Sequence, residues 1–211
     1  MISPLPSKIK VWDAPTRLFH WLLAFSFVGA YITAEGERWR LVHVTLGYTM
    51  GGLLAFRLVW GLVGTRYARF TNFVRGPQAV VAYLASLRGA SPQHFTGHNP
   101  AGAVAIVLLI ATGMAIVATG WATYNEVGGE WLSELHEGAA NTMLAIVGVH
   151  IAGVVAATYL HRENLVRSMV TGTKLGYRGD GVPLKGWTAA VALLMALCVL
   201  IFWWLQWQSA P

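Results

Sequence analysis

The sequence predicts an all-α membrane protein: a four-helix transmembrane bundle built around intramembrane histidines, plus a fifth C-terminal transmembrane helix. Three observations predict it. Of 211 residues, 55% are hydrophobic and only 11% are charged, whereas soluble domains carry about 25% charged residues. Five apolar stretches reach the roughly 17–25 residues that a membrane-spanning helix needs. Four histidines, His20, His43, His136 and His150, fall in helix-length apolar segments, where an ionisable side chain is costly and so implies a function.

The first expected span covers residues 17–34. A basic start followed by an apolar run also describes a cleaved signal peptide; an uncleaved anchor explains the same residues and keeps His20. A polar turn, residues 35–40, leads into the second span, 41–63, so the first two helices form an antiparallel pair. The long loop 65–100 is expected to contain a short interfacial helix over residues 76–86. The third and fourth spans are placed at 101–119 and 138–159. Residues 171–186, rich in Gly, Lys and Arg, read as a cytoplasmic linker to the fifth span, 187–207. That span has no His, Asp, Glu, Lys or Arg and reads as an anchor or packing element. Residues 1–175 thus form the histidine-bearing unit, and residues 176–211 the linker and last helix.

Charge orients the chain. The net charge is +6, but its distribution argues against nucleic acid: in the five-span arrangement thirteen of the fifteen Lys and Arg residues share one side, and only Arg38 and Arg40 lie on the other. The positive-inside rule places the N-terminus in the cytoplasm and the C-terminus outside. Six glutamates, among them Glu126, Glu130, Glu134 and Glu137, make the outer face acidic. The single cysteine, Cys198, excludes an intrachain disulfide, a C-x-x-C-H haem attachment and a Cys-ligated iron–sulfur cluster.

The four histidines pair by depth. His20 starts the outward-running first span and so sits at the cytoplasmic level. His43 starts the inward-running second span and sits at the outer level. On the fourth span His136 lies at the outer mouth and His150 deeper, 14 residues on, which is about 21 Å of helical rise and leaves the two within about 40° of one another. The outer pair is then His43 with His136 and the inner pair His20 with His150. Zinc and copper sites gather three or four ligands around one metal, which histidines about 21 Å apart on one helix cannot do. A single intramembrane His can equally bond a neighbouring carbonyl. Two depth-matched pairs favour two haem b groups, each held non-covalently between two imidazoles. The fold class becomes a four-helix haem-binding transmembrane bundle plus a fifth C-terminal transmembrane helix.

Further residues fit the same plan. Arg57 lies 14 residues after His43, at the inner level, and is suited either to a haem propionate or to snorkelling towards the headgroups. Arg17, one turn before His20, is a second such candidate. Gly47, one turn from His43, belongs with Gly51 and Gly52 to a small-residue stripe that admits either another helix backbone or a flat ring. His94, His98 and His161 read as loop residues; of these, His98 opens the third span where a ligand, such as a quinone, could enter.

The segment Trp12-Asp13-Ala14-Pro15-Thr16-Arg17-Leu18-Phe19-His20-Trp21 resembles the opening of the prokaryotic di-haem b-type cytochromes, the cytochrome b561-like family that includes the cytochrome-b subunits of membrane-bound nickel–iron hydrogenases. The similarity continues at Leu41-Val42-His43, Gly47-Tyr48 and Phe56-Arg57-Leu58-Val59-Trp60-Gly61. It returns at Gly97-His98-Asn99-Pro100-Ala101-Gly102, Leu135-His136-Glu137, Ala140-Asn141, His150-Ile151 and His161-Arg162-Glu163-Asn164-Leu165-Val166. All four candidate ligands fall in matching motifs, over about residues 10–175. The resemblance implies a four-helix haem-binding core in the bacterial inner membrane and a role in electron transport; the fifth span goes beyond that pattern.

With both axial positions filled by His, a haem iron has no open site, and its chemistry is confined to outer-sphere electron transfer. The expected function is electron transfer across the membrane between a periplasmic partner, a cytochrome c or a redox-enzyme subunit, and the quinone pool. Two rivals are an oxidoreductase acting on a small diffusible molecule at one face, and a His-based proton or metal transporter. The transporter would favour carboxylates and broken helices at mid-membrane, which the five spans lack.

Overall fold

The computed structural model describes residues 7–89, 92–183 and 185–209. In chain order the elements are β1 (Ser7–Lys10), α1 (Ala14–Ile32), α2 (Arg40–Val63), α3 (Phe70–Phe73), α4 (Pro77–Ser86), α5 (Pro100–Tyr124), α6 (Trp131–His161), α7 (Leu165–Thr171), β2 (Thr173–Gly176) and α8 (Gly186–Gln208), with one-turn 3₁₀ segments at Glu37–Trp39 and Arg178–Asp180. Among the described residues, four helical segments are long and apolar enough to cross a membrane: Glu37–Val63, Pro100–Tyr124, Trp131–His161 and Gly186–Gln208. α1 has 19 residues, about 28 Å of rise, but Pro15, Arg17 and His20 dilute its apolar character and it is not one of the four.

Two of the long helices start at a side-chain cap. Asp13 caps α1, its Oδ1 accepting the Thr16 amide at 2.7 Å, with proline in the first turn, where its missing N–H costs nothing. Asn99 caps α5 before Pro100 through the Gly102 amide, also at 2.7 Å. α6 ends at Arg162, whose left-handed backbone (φ 50°) turns the chain out of the helix.

Helices pack in the series α8–α1–α2–α5–α6. α6 packs its backbone on α5, and neither α1 nor α2 is among its close backbone neighbours. The histidine-bearing helices therefore meet through side chains. Large apolar residues such as Val149, Leu193, Leu200 and Trp204 cover the outside of α6 and α8 and are exposed, as lipid-facing surfaces are.

The expected interfacial helix over 76–86 is α4, Pro77–Ser86. The expected linker 171–186 is more ordered than its composition suggests. Its first part forms β2, which pairs antiparallel with β1 in register Ser7↔Gly176 to Lys10↔Thr173. Four-residue strands leave little periodic signal in a sequence. Behind this clasp Ile9, Val11 and Trp12 form a small core, with Tyr67 and Met169 against it.

Candidate functional site

The structure brings His43 and His136 together: their ring centroids are 6.1 Å apart, with ring planes at 76°. His43 Nδ1 lies 2.9 Å from the Ala30 carbonyl oxygen, and His136 Nδ1 lies 3.0 Å from the Ile116 carbonyl oxygen and 3.2 Å from Thr119 Oγ1. A carbonyl only accepts, so both Nδ1 atoms carry the proton, and each Nε2 keeps its lone pair. This is the arrangement by which proteins orient a metal-binding imidazole. A metal–imidazole bond is about 2 Å and a ring nitrogen lies roughly 1 Å from the centroid, so two axial imidazoles have centroids about 6 Å apart. The observed spacing fits a haem iron between them.

The neighbourhood is cut to that shape. A Cβ on Gly120 would come within 2.8 Å of His136 Cε1, so α5 must be bare there for the imidazole to seat. A Cβ on Gly51 would meet Val117 at 3.0 Å, whereas one on Gly47 would meet no heavy atom within 4 Å. Helix packing therefore uses Gly51, and Gly47 is left beside the histidine pair.

At the other end of the bundle, where the basic loops gather, His20, His98, His150 and Arg57 form a second group. Arg57 is 3% exposed. Its guanidinium lies over Phe70 at 4.7 Å and near Phe73 at 5.9 Å, and its Nη1 is enclosed with no hydrogen-bond partner. His20 Nδ1 is enclosed and unpartnered too. An unpaired buried guanidinium is expensive, and an anionic propionate is the kind of group that would satisfy it. The chemistry of this group therefore suits an anionic ligand such as a haem propionate. His98 was expected at an opening, but its ring is flanked by Trp12 at 4.5 Å and Phe73 at 4.6 Å, with Nδ1 enclosed. α3, which composition did not reveal, supplies that Phe73 wall. Burial, with smaller contributions from the positive charge of Arg57, Lys174, His150 and His20, pushes the His98 pKa down to about 3, so this imidazole is neutral at physiological pH. Arg17 directs Nη1 to the Val170 carbonyl at 2.5 Å.

Between the two levels lies an apolar layer of Phe27, Met50, Ile116 and Met143. Phe27 stands seven residues after His20, Met50 seven after His43, and Met143 midway between His136 and His150, each about 10 Å from its histidine along the helix. Among the described residues no three of His, Cys, Asp or Glu converge on one point as ligands for a metal ion.

Several contributors carry no sequence signal of their own. Asp13 holds Trp60 Nε1 (3.1 Å) and Thr65 Oγ1 (2.6 Å) through Oδ2 while Oδ1 caps α1, so it locks the start of α1 to the end of α2. Tyr31 donates its hydroxyl to Asn141 at 2.8 Å, joining α1 to α6. Lys174, 6% exposed, pairs with Glu163 at 2.9 Å, and His94 lies 3.5 Å from the same carboxylate. His161, read as a loop residue, closes α6 and packs 5.5 Å from His94.

Residues 11–172 match the family model of the prokaryotic cytochrome b561 proteins. The chain belongs to that family. It is 25% identical over 214 aligned positions to a probable Ni/Fe-hydrogenase B-type cytochrome subunit of Rhizobium leguminosarum, covering 79% of this chain and 89% of that protein. A similarly named subunit of Azotobacter vinelandii is 26% identical, covering 79% and 88% of the two chains. A probable Ni/Fe-hydrogenase 1 B-type cytochrome subunit of Escherichia coli K12 is 27% identical over 55% of this chain and 60% of its own. No solved structure matches. Membership makes this a multi-pass b-type cytochrome of the bacterial inner membrane, and the matched region contains all four histidines and Arg57.

Proposed function

We propose that this cytochrome holds two haem b groups and carries electrons between a redox-enzyme subunit outside the membrane and the quinone pool. His43 and His136 hold one haem, His20 and His150 the other. The observation that carries this reading is the 6.1 Å approach of His43 and His136 with both Nδ1 protons committed to carbonyls. Bound haem iron supplies one-electron chemistry. The protein's part is to fill both axial positions, fix the imidazole tautomers, and set the charge around each level. Arg57 is placed to neutralise a propionate at the basic end, and Gly47 to let a flat ring lie against α2.

The orientation follows the charge asymmetry: α1 crosses as a fifth span, the N-terminus is cytoplasmic and the C-terminus periplasmic. The acidic end then faces the periplasm, where the partner is a hydrogenase-type subunit, as the relatives' names suggest, or a cytochrome c. The basic end faces the quinone pool, with His98 in the wall of that level. Two depth-matched sites imply two haems per chain, both released by acidified organic solvent because no thioether can form. A haem count with a reduced-minus-oxidised spectrum tests this: one haem per chain, or haem that stays with the polypeptide, would overturn it.

A further inference from the structure

A cavity of about 270 Å³ at the basic end, lined by none of the seven histidines, lies where the start of α1, the end of α2 and the start of α8 come together. Lys10, Arg17 and Lys185 line it, with Asp13, Thr65 and Thr188 among the rest. We propose that it binds the phosphate group of an anionic phospholipid.

Charge argues for a phosphate. Three cations face one carboxylate, and that carboxylate is already committed: Asp13 accepts from the Thr16 amide, Trp60 and Thr65. The cations are aimed rather than loose. Lys10 Nζ donates to the Thr171 carbonyl at 3.0 Å and Arg17 Nη1 to the Val170 carbonyl, so the last turn of α7 holds both heads in place. Each keeps donors to spare. Arg17 commits one guanidinium nitrogen and Lys10 one ammonium proton to these carbonyls, and among the described residues Lys185 forms no side-chain hydrogen bond or ion pair. α8 begins at this cavity with no side-chain cap, which leaves first-turn amides and the positive end of a 23-residue helix for an anion.

Position argues for a lipid. The cavity sits at the ends of membrane helices, the depth of phospholipid headgroups, and Trp12, Val182 and Ala189 give it apolar walls. Basic pockets between transmembrane helices at this depth suit anionic headgroups. Free phosphate shares the oxyanion but not the acyl chains.

The test uses the full-length holoprotein in detergent, stripped of lipid and titrated with phosphatidylglycerol, phosphatidylcholine or inorganic phosphate. Thermal unfolding and native mass spectrometry read binding. Phosphatidylglycerol should be retained and raise the unfolding midpoint, and phosphatidylcholine should not. Lys10→Gln should weaken phosphatidylglycerol binding roughly fivefold, and Lys185→Glu, which reverses the charge, more than that. Arg88→Gln, at a residue that does not line the cavity, should bind as the wild type does. Equal binding by Lys185→Glu and wild type would overturn the site. A response to inorganic phosphate that phosphatidylglycerol does not exceed would overturn the lipid assignment. Neither result depends on how many haems the protein holds.

Discussion

The two histidine levels are built on the same spacing but finished differently. At the acidic end the protein supplies its own second shell: Ala30 and Ile116 carbonyls and the Thr119 hydroxyl take the imidazole protons, and Gly120 makes room for the ring. Among the described residues, the Thr45 hydroxyl on α2 is also enclosed without a partner. At the basic end enclosed, unpartnered atoms accumulate: His20 Nδ1, His98 Nδ1 and Arg57 Nη1. The first level is organised by the backbone and can hold its geometry alone. The second leaves a guanidinium and two imidazole nitrogens that a bound anionic group would satisfy, so a ligand held there would stabilise this end.

The largest test of this contrast is the loss of a ligand. His43→Ala and His136→Ala should each delete the same spectral component, while His20→Ala and His150→Ala delete the other. Loss of different components within one pair breaks the depth assignment. Next, Gly120→Val should drive the side chain into the His136 ring and lower haem affinity at the acidic level by roughly ten- to a hundred-fold, the usual effect of disturbing a ligand's support, with the basic level spared. It is read by haem titration of the apoprotein.

A subtler change is in potential. Positive charge favours the added electron, so the haem at the basic level should titrate higher than its counterpart among glutamates. Arg57→Gln should lower it by roughly 60 mV, a tenfold change in a one-electron equilibrium. If the haem kept in His43→Ala titrates below the one kept in His20→Ala, the charge argument fails. The smallest effect concerns pH. Unfolded His98 takes up a proton below about 6.5, whereas the folded ring resists it until about 3. The unfolded state therefore binds more protons in this window, and stability is lost as pH falls through it. Replacing His98 with Gln should flatten that loss, measured as the unfolding midpoint between pH 6.5 and 4.

Much of this was legible in the sequence because membrane segments obey few rules. Apolar length gave the helices, and the 14-residue spacing of His136 and His150 gave the proposed levels. What could not be read was any contact between segments distant in sequence. Nothing in Gly120 announces that it faces His136, and Asp13 looks like a cap without revealing its grip on Trp60 and Thr65. The wall around His98 depends on α3, four residues long and too short to leave a period. β1 and β2 were hidden for the same reason, and the charged linker that holds β2 resembles a solvated loop until its partner, some 160 residues earlier, is known.

That clasp also sets an order of assembly. Ser7–Lys10 leaves the ribosome well before Thr173–Gly176 and must wait for it before it can form this pairing. By then His20, His43, His136 and His150 have all been synthesised. Closure at the basic end thus follows the synthesis of all four histidines, so the haem proposed for either level could enter before that end is sealed.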